Sequence, residues 1–190
     1  MPGELSFAWC DEIECEGGQL LVANVDDFVH WAGAISALAD PGYDSVHAFG
    51  SGQSCYFWNA VPGSVRITAD RWRTSLFLSQ VDYAQDDAGR EAAHAFALTY
   101  QSSQSAAGLS YHVGGGPVVI ACAGNSARDT STCIEQLPLS TATPGALIDF
   151  ANGSNAAALW LEPGQYRSSL FYHEEDRWGV SWCRLQRVSG

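Results

Sequence analysis

The chain of 190 residues carries 21 acidic and 9 basic side chains, which gives a formal net charge of -12 at pH 7. Hydrophobic residues make up 46% of the chain and charged residues 16%, so the composition excludes the weakly hydrophobic, highly charged class of disordered proteins. Because nucleic acid phosphates repel so acidic a surface, nucleic acid is not an expected partner.

Short apolar and aromatic runs bounded by Gly, Pro, Asn or Asp predict strands along the first half of the chain. In chain order these runs are LSFAWCDEIE, QLLVANV, SCYFWNAV, SVRIT and SLFLSQV. Helical spacing of apolar residues in VDDFVHWAGAISALA predicts one helix. The alanine-rich stretch QDDAGREAAHAFALTY, which begins with an aspartate suited to capping, predicts a second helix.

The second half of the chain repeats landmarks of the first half in the same order. GGQLLVA at 17–23 returns as GGPVVIA at 115–121, and FGSGQSCYFWNAVPGSVRI at 49–67 returns as FANGSNAAALWLEPGQYRS at 150–168. In both copies a Pro-Gly turn separates two strands, and an arginine (Arg66 or Arg167) follows the proline by four residues. Shared landmarks in a constant order indicate a diverged tandem duplication.

The predicted fold is mainly β, a sandwich-like architecture built from the two repeats with one or two short helices. The first β-rich repeat covers residues 1–84 and the second covers 109–190. Residues 85–108 form a linker that can hold a helix. We expect the two repeats to share one compact, pseudo-symmetric domain.

No signal peptide and no apolar stretch long enough to span a membrane is recognisable, so we expect a cytoplasmic protein that does not enter the membrane. In a reducing compartment the six cysteines predict buried thiols rather than disulfides. Neither a CxxC pair nor an HExxH motif occurs, and we therefore predict no metal and no cofactor. The GxSxG nucleophile motif is also missing, so no catalytic residue is assigned and the chain is not expected to be an enzyme.

The acidic residues are concentrated in the first copy, above all in CDEIECE at 10–16. If this segment is extended, Glu12, Glu14 and Glu16 share one face. Such a row of carboxylates has two explanations, a binding site for a basic partner or an edge strand that its charges protect from aggregation. The candidate partner-binding residues are Asp11, Glu12, Glu14, Glu16, Asp26, Asp27, Trp31 and Trp72.

The tryptophans divide into two groups. Trp58 and Trp160 occupy equivalent positions of the repeat, which predicts that both are core residues. Trp72 and Trp178 each follow an arginine in a polar stretch, and this context predicts exposed anchors because Trp and Arg are enriched at binding hot spots.

A glycine pair, a short apolar strand and a Trp-x-Gly motif open the chain, at Gly17, Gly18, Leu20–Val22, Trp31 and Gly33. This pattern resembles the opening of some bacterial polymorphic-toxin immunity proteins. Those are small, acidic, cytoplasmic proteins, each of which neutralises one cognate toxin domain by binding it. The resemblance implies a non-catalytic inhibitor whose partner is a basic protein such as a toxin domain.

Two other functions stay open. The chain could be an enzyme with a site between the repeats, where Arg66 and Arg167 converge on a small anionic substrate. It could also be a carbohydrate-binding β-sandwich that displays its tryptophans.

Overall fold

The computed structural model describes residues 7–15, 19–33, 44–49, 53–59, 63–100, 108–114, 116–130, 137, 139 and 145–188. Within these residues, twelve strands form two antiparallel sheets of six strands each. The prediction of a mainly β, sandwich-like fold is confirmed.

The strands of the first copy are β1 (Phe7–Cys15), β2 (Gln19–Asn24), β3 (Asp44–Phe49), β4 (Gln53–Asn59), β5 (Gly63–Asp70) and β6 (Ser75–Ala84). Those of the second copy are β7 (Ser110–Val113), β8 (Pro117–Cys122), β9 (Gly145–Asp149), β10 (Asn155–Trp160), β11 (Gly164–Glu175) and β12 (Trp178–Arg187). The helices are α1 (Val25–Phe28) and α2 (Asp87–Thr99), together with a 3-10 turn at Ala127–Asp129.

The strand order has internal twofold symmetry. Sheet I runs β1-β5-β6-β12-β11-β7, and sheet II runs β3-β4-β2-β8-β10-β9. Exchanging each strand for its counterpart in the other copy reverses both orders, so a pseudo-twofold axis passes between β6 and β12 and between β2 and β8. This is the symmetry that a tandem duplication predicts. The domain boundaries at residues 84 and 109 stay a prediction.

The turn before the fifth strand of each copy has the same backbone requirement. Gly63 and Gly164, which begin β5 and β11, have φ of 145° and 151°, a region that side chains with a Cβ rarely enter. The Pro-Gly turns predicted from the sequence therefore end on equivalent glycines, although Pro62 lies outside the described residues. Of the paired tryptophans, Trp58 is buried as predicted and Trp160 is half-buried.

Three apolar layers stabilise the fold. The inner faces of the sheets enclose the main core, which includes Ile13, Leu20, Val22, Tyr56 and Tyr166. A second layer lies on the outer face of sheet II, where α1 and the chain after it pack, and α2 supplies the third layer on the outer face of sheet I. Successive side chains of a strand point to opposite faces of its sheet. One set therefore packs in the main core, and the other set packs in an outer layer.

The helix predicted in QDDAGREAAHAFALTY is confirmed as α2, whose cap residue Asp86 accepts a hydrogen bond from the Gly89 amide at 2.7 Å. The other helix prediction was too long. Helix α1 ends at Phe28, and the chain from Trp31 to Gly33 is not helical because Gly33 turns it with φ of 74°. The remainder of that prediction falls at 34–39, outside the described residues. Among the described helices, none has the length and apolar character needed to cross a membrane.

Gly33 provides a test of this close packing, with Gly153 as a matched control. Both have positive φ, 74° and 85°. A Cβ on Gly33 would lie 2.8 Å from the Gly124 carbonyl oxygen and 2.9 Å from the Ser126 amide nitrogen, whereas one on Gly153 would meet nothing within 4 Å. Gly153→Ala should cost about 1 kcal/mol for its backbone conformation, and Gly33→Ala about 1 kcal/mol more for the collision. Urea unfolding of both variants measures the difference, and equal losses would contradict this packing.

Candidate functional site

Strand β1 is the outermost strand of sheet I beside β5, so the predicted acidic segment lies on an edge strand. Its side chains alternate as predicted. Ile13 and Cys15 are buried in the core, while Glu12 and Glu14 point away from it. Glu16 lies outside the described residues.

The acids of β1 do not form a row of unpaired charges, which corrects the sequence interpretation. Glu12 Oε1 accepts a hydrogen bond from Ser64 Oγ at 2.6 Å, and Glu12 Oε2 lies 3.9 Å from the Arg66 guanidinium. Arg66 itself donates two hydrogen bonds, at 2.7 and 2.9 Å, to the carboxylate of Glu91 on α2. Glu12 thus belongs to a network that fastens α2 to sheet I.

His94 extends that network into the space between α2 and β6. Its Nδ1 lies 2.8 Å from Ser79 Oγ, and both residues are buried. Burial, reinforced by the positive charge of Arg66, lowers the pKa of His94 to about 4. Sequence reasoning missed this cluster because strands and a helix far apart in the chain supply its members.

Asp11 and Glu14 differ from Glu12 in their surroundings. Asp11 Oδ1 accepts a hydrogen bond from the amide of its neighbour Glu12 at 2.9 Å, and Glu14 is exposed. In the described part of the chain, neither carboxylate has an arginine or histidine nitrogen within 4.0 Å. Glu14 is exposed, whereas Asp11 is half-buried on the opposite side of β1, the side of Ile13. Glu14 is therefore the carboxylate of β1 that is most open to a basic partner.

Glu14 also borders a polar hollow of about 300 Å³ between β1 and sheet II. Its amide donates a hydrogen bond to Asn155 Oδ1 at 3.1 Å, so this part of the edge strand is capped by a side chain. In the hollow, Asn152 Nδ2 donates to Asn125 Oδ1 at 3.3 Å, and the buried Nδ2 of Asn125 has no hydrogen-bond partner among the described residues.

Asp26 and Asp27 do not join the acids of β1. They lie on α1, which packs on the outer face of sheet II, and Asp27 accepts a hydrogen bond from Asn24 Nδ2 at 3.4 Å. Asn24 Nδ2 also lies 3.3 Å from Tyr111 Oη, and Tyr111 is on β7, at the edge of sheet I opposite to β1. The prediction that these aspartates neighbour the β1 acids is therefore wrong.

The structure also corrects two of the tryptophan predictions. Trp31 is only 6% exposed, packs against Phe57 and donates a hydrogen bond to the Ala123 carbonyl, so it cannot contact a partner. Trp178, predicted to be exposed, is buried against α2. Trp72 is 58% exposed as predicted, with the Arg71 guanidinium 4.0 Å above its ring. It lies in the turn after β5, at the opposite end of that strand from Glu14.

The alternatives have less support from this arrangement. Arg66 and Arg167 do not converge, because β6 and β12 lie between their strands and separate them by about 14 Å. A platform of several exposed tryptophans is also not found among the described side chains, where Trp72 is exposed but Trp58 and Trp182 are buried.

The described part of the chain holds no group of three or more His, Cys, Asp or Glu side chains that could bind a metal ion. Its five cysteines are thiols, of which Cys10 is exposed and the others are buried, as predicted. Burial raises the pKa of Cys55 and of Cys183 to about 12, so both are protonated at neutral pH. Cys133 lies outside the described residues.

Comparisons with protein families, with curated proteins and with solved structures gave no match.

Proposed function

We propose that this chain is a non-catalytic binding protein that neutralises a basic protein partner, in the manner of an immunity or inhibitor protein, through the acidic edge strand β1. The observation that carries the proposal is that Asp11 and Glu14 present carboxylates without a basic partner among the described residues, on a strand at the border of a sheet. Unpaired charges at such a border can recognise a partner of opposite charge.

The charge around β1 supports the same partner. The end of sheet I that carries Glu14 also carries acids of α2 and of the turn between β11 and β12. These acids are Asp86, Asp87, Glu174, Glu175 and Asp176. Their fields add to that of β1 and would steer a basic protein toward this end of the molecule. A toxin domain with a basic surface is one such partner.

Removing the two unpaired charges tests the proposal. The double variant Asp11→Asn and Glu14→Gln should associate with the partner several-fold more slowly at low salt and show a flatter dependence on ionic strength. Its stability should change by less than about 0.5 kcal/mol, because Glu14 is exposed and an asparagine at position 11 keeps an oxygen that can accept the Glu12 amide hydrogen bond. The partner is first isolated from the native cell, and association rates are then measured by surface plasmon resonance.

The control removes the same charge elsewhere. Asp26→Asn with Asp129→Asn changes two exposed acids on the side of sheet II and should leave most of the association rate unchanged. Equal rates for wild type and the β1 variant at low salt would mean that these acids only protect an edge strand from aggregation. An acidic partner would overturn the proposal directly.

A further inference from the structure

Two arginines of this acidic protein lie side by side on the outer face of sheet I in the second copy. Arg167 on β11 and Arg184 on β12 line a hollow of about 220 Å³. The aromatic rings of Tyr100, which caps α2, and Phe171 form part of the same wall. Two of the chain's nine basic residues therefore lie around one small space.

These arginines differ from others in the molecule in lacking a partner of opposite charge. Among the described residues, no carboxylate oxygen lies within 4.0 Å of their guanidinium groups, whereas Arg66 and Arg177 each have one at 2.7–2.8 Å. The buried Nε of Arg184 also has no hydrogen-bond acceptor in the described part of the chain. Its guanidinium lies 5.0 Å from the centre of the Phe77 ring, and burial lowers its pKa.

The first copy contains an arginine equivalent to Arg167, and that arginine binds a carboxylate. Arg66 and Arg167 occupy equivalent positions, three residues after the turn glycine of each copy. Arg66 holds the carboxylate of Glu91 with two hydrogen bonds and pairs across the strands with Glu12, whereas Ser110 is the cross-strand partner of Arg167. In the first copy, the carboxylate of Glu91 thus occupies the guanidinium of Arg66. The second copy has the equivalent arginine, Arg167, but within the described residues it has no carboxylate at the positions that correspond to Glu12 and Glu91.

We propose that this hollow is a binding site for a small phosphate monoester that carries a flat ring. The planar forks of Arg167 and Arg184 match the oxygens of a phosphate group, and the rings of Tyr100 and Phe171 offer surfaces for an aromatic group. A hollow of 220 Å³ holds about seven water molecules' share of liquid volume, which is enough for one ring and one phosphate. This site is separate from β1, so ligand binding here does not depend on the proposed function.

Titration calorimetry of the full chain with phenyl phosphate at low salt tests the site. We expect saturable binding of one molecule, weaker binding of inorganic phosphate, and no binding of benzyl alcohol. Arg167→Gln should weaken phenyl phosphate binding at least tenfold. Because Arg167 is exposed, this variant should fold normally, which circular dichroism verifies. Nuclear Overhauser effects between the phenyl protons and Tyr100 should place the ring in the hollow.

Arg177→Gln is the matched control, since it removes one arginine charge at the opposite end of β12 and should leave the affinity unchanged. Three results would overturn the site as proposed: no saturable binding of phenyl phosphate, equal affinity of wild type and Arg167→Gln, or the same loss in the Arg177→Gln control. Inorganic phosphate binding as tightly as phenyl phosphate would overturn the assignment of a ring-bearing ligand.

Discussion

Lowering the pH from 7 to 4 should reduce the free energy of unfolding by about 3 kcal/mol through His94 alone, because its pKa falls from 6.5 to about 4 on folding. Below pH 6.5 the unfolded chain binds a proton that the folded protein does not bind. The full contribution of the neutral imidazole is therefore present above pH 6.5, and it is lost progressively as the pH falls to about 4.

The surroundings of His94 explain the expected size of the effect. The imidazole is 2% exposed, bonded to Ser79, and close to the Arg66 guanidinium. Arg90 also disfavours a second positive charge there, while Glu12 and Glu91 favour it without outweighing burial. Since His94 lies on α2, protonation should loosen the contact between this helix and β6 first.

The measurement compares urea unfolding of wild type and His94→Gln at pH 7, 5.5 and 4. Titration of other groups is common to both proteins, so the difference between them isolates His94. Wild type should lose about 3 kcal/mol more than the variant between pH 7 and pH 4. His30→Gln, which changes an exposed histidine, should keep the pH dependence of wild type. Equal losses of unfolding free energy in wild type and His94→Gln would contradict the prediction, because they would show that the pKa of His94 does not change on folding.

The sequence predicted those parts of the fold that depend on local patterns. Strands can be recognised from alternation within a few residues, as at Ile13 and Cys15, and the turn at Gly164 from its Pro-Gly pair. The ordered recurrence of these patterns then revealed the duplication, which the strand order of both sheets reproduces.

The candidate site was harder to predict because its electrostatics depend on distant residues. Glu12 is partly neutralised by Arg66, which in turn is held by Glu91, and only the packing of α2 on sheet I brings these three together. The exposure of a tryptophan is equally non-local. Trp72 and Trp178 each follow an arginine, yet α2 covers the second and not the first.

Residues 1–100 and 101–190, produced as separate chains, should fail to fold as monomers. The central strand pair of each sheet joins one copy to the other, β6 with β12 in sheet I and β2 with β8 in sheet II. The strands that division would expose are among the most buried in the molecule. Leu20–Ala23 of β2 and the equivalent apolar residues of β8 are inaccessible to solvent.

Division would also remove the partner of α2. This helix belongs to the first fragment, but Trp178, Val180 and Trp182, against which it packs, belong to the second. Each fragment would present two unpaired apolar strand edges, a state that favours association over a folded monomer. Because the copies are related by a pseudo-twofold axis, a fragment can satisfy its edges with the other fragment or with a second copy of itself.

Circular dichroism and analytical ultracentrifugation distinguish these states. Each fragment alone should be unfolded or dimeric, and an equimolar mixture should form a one-to-one complex that regains cooperative thermal unfolding. The intact chain under the same conditions is the control, and it should remain stable at concentrations where the complex dissociates, because its linker keeps the copies at a high effective concentration. A fragment that sediments as a monomer and unfolds cooperatively would show that a single repeat is an independent domain and that pairing across the axis is dispensable.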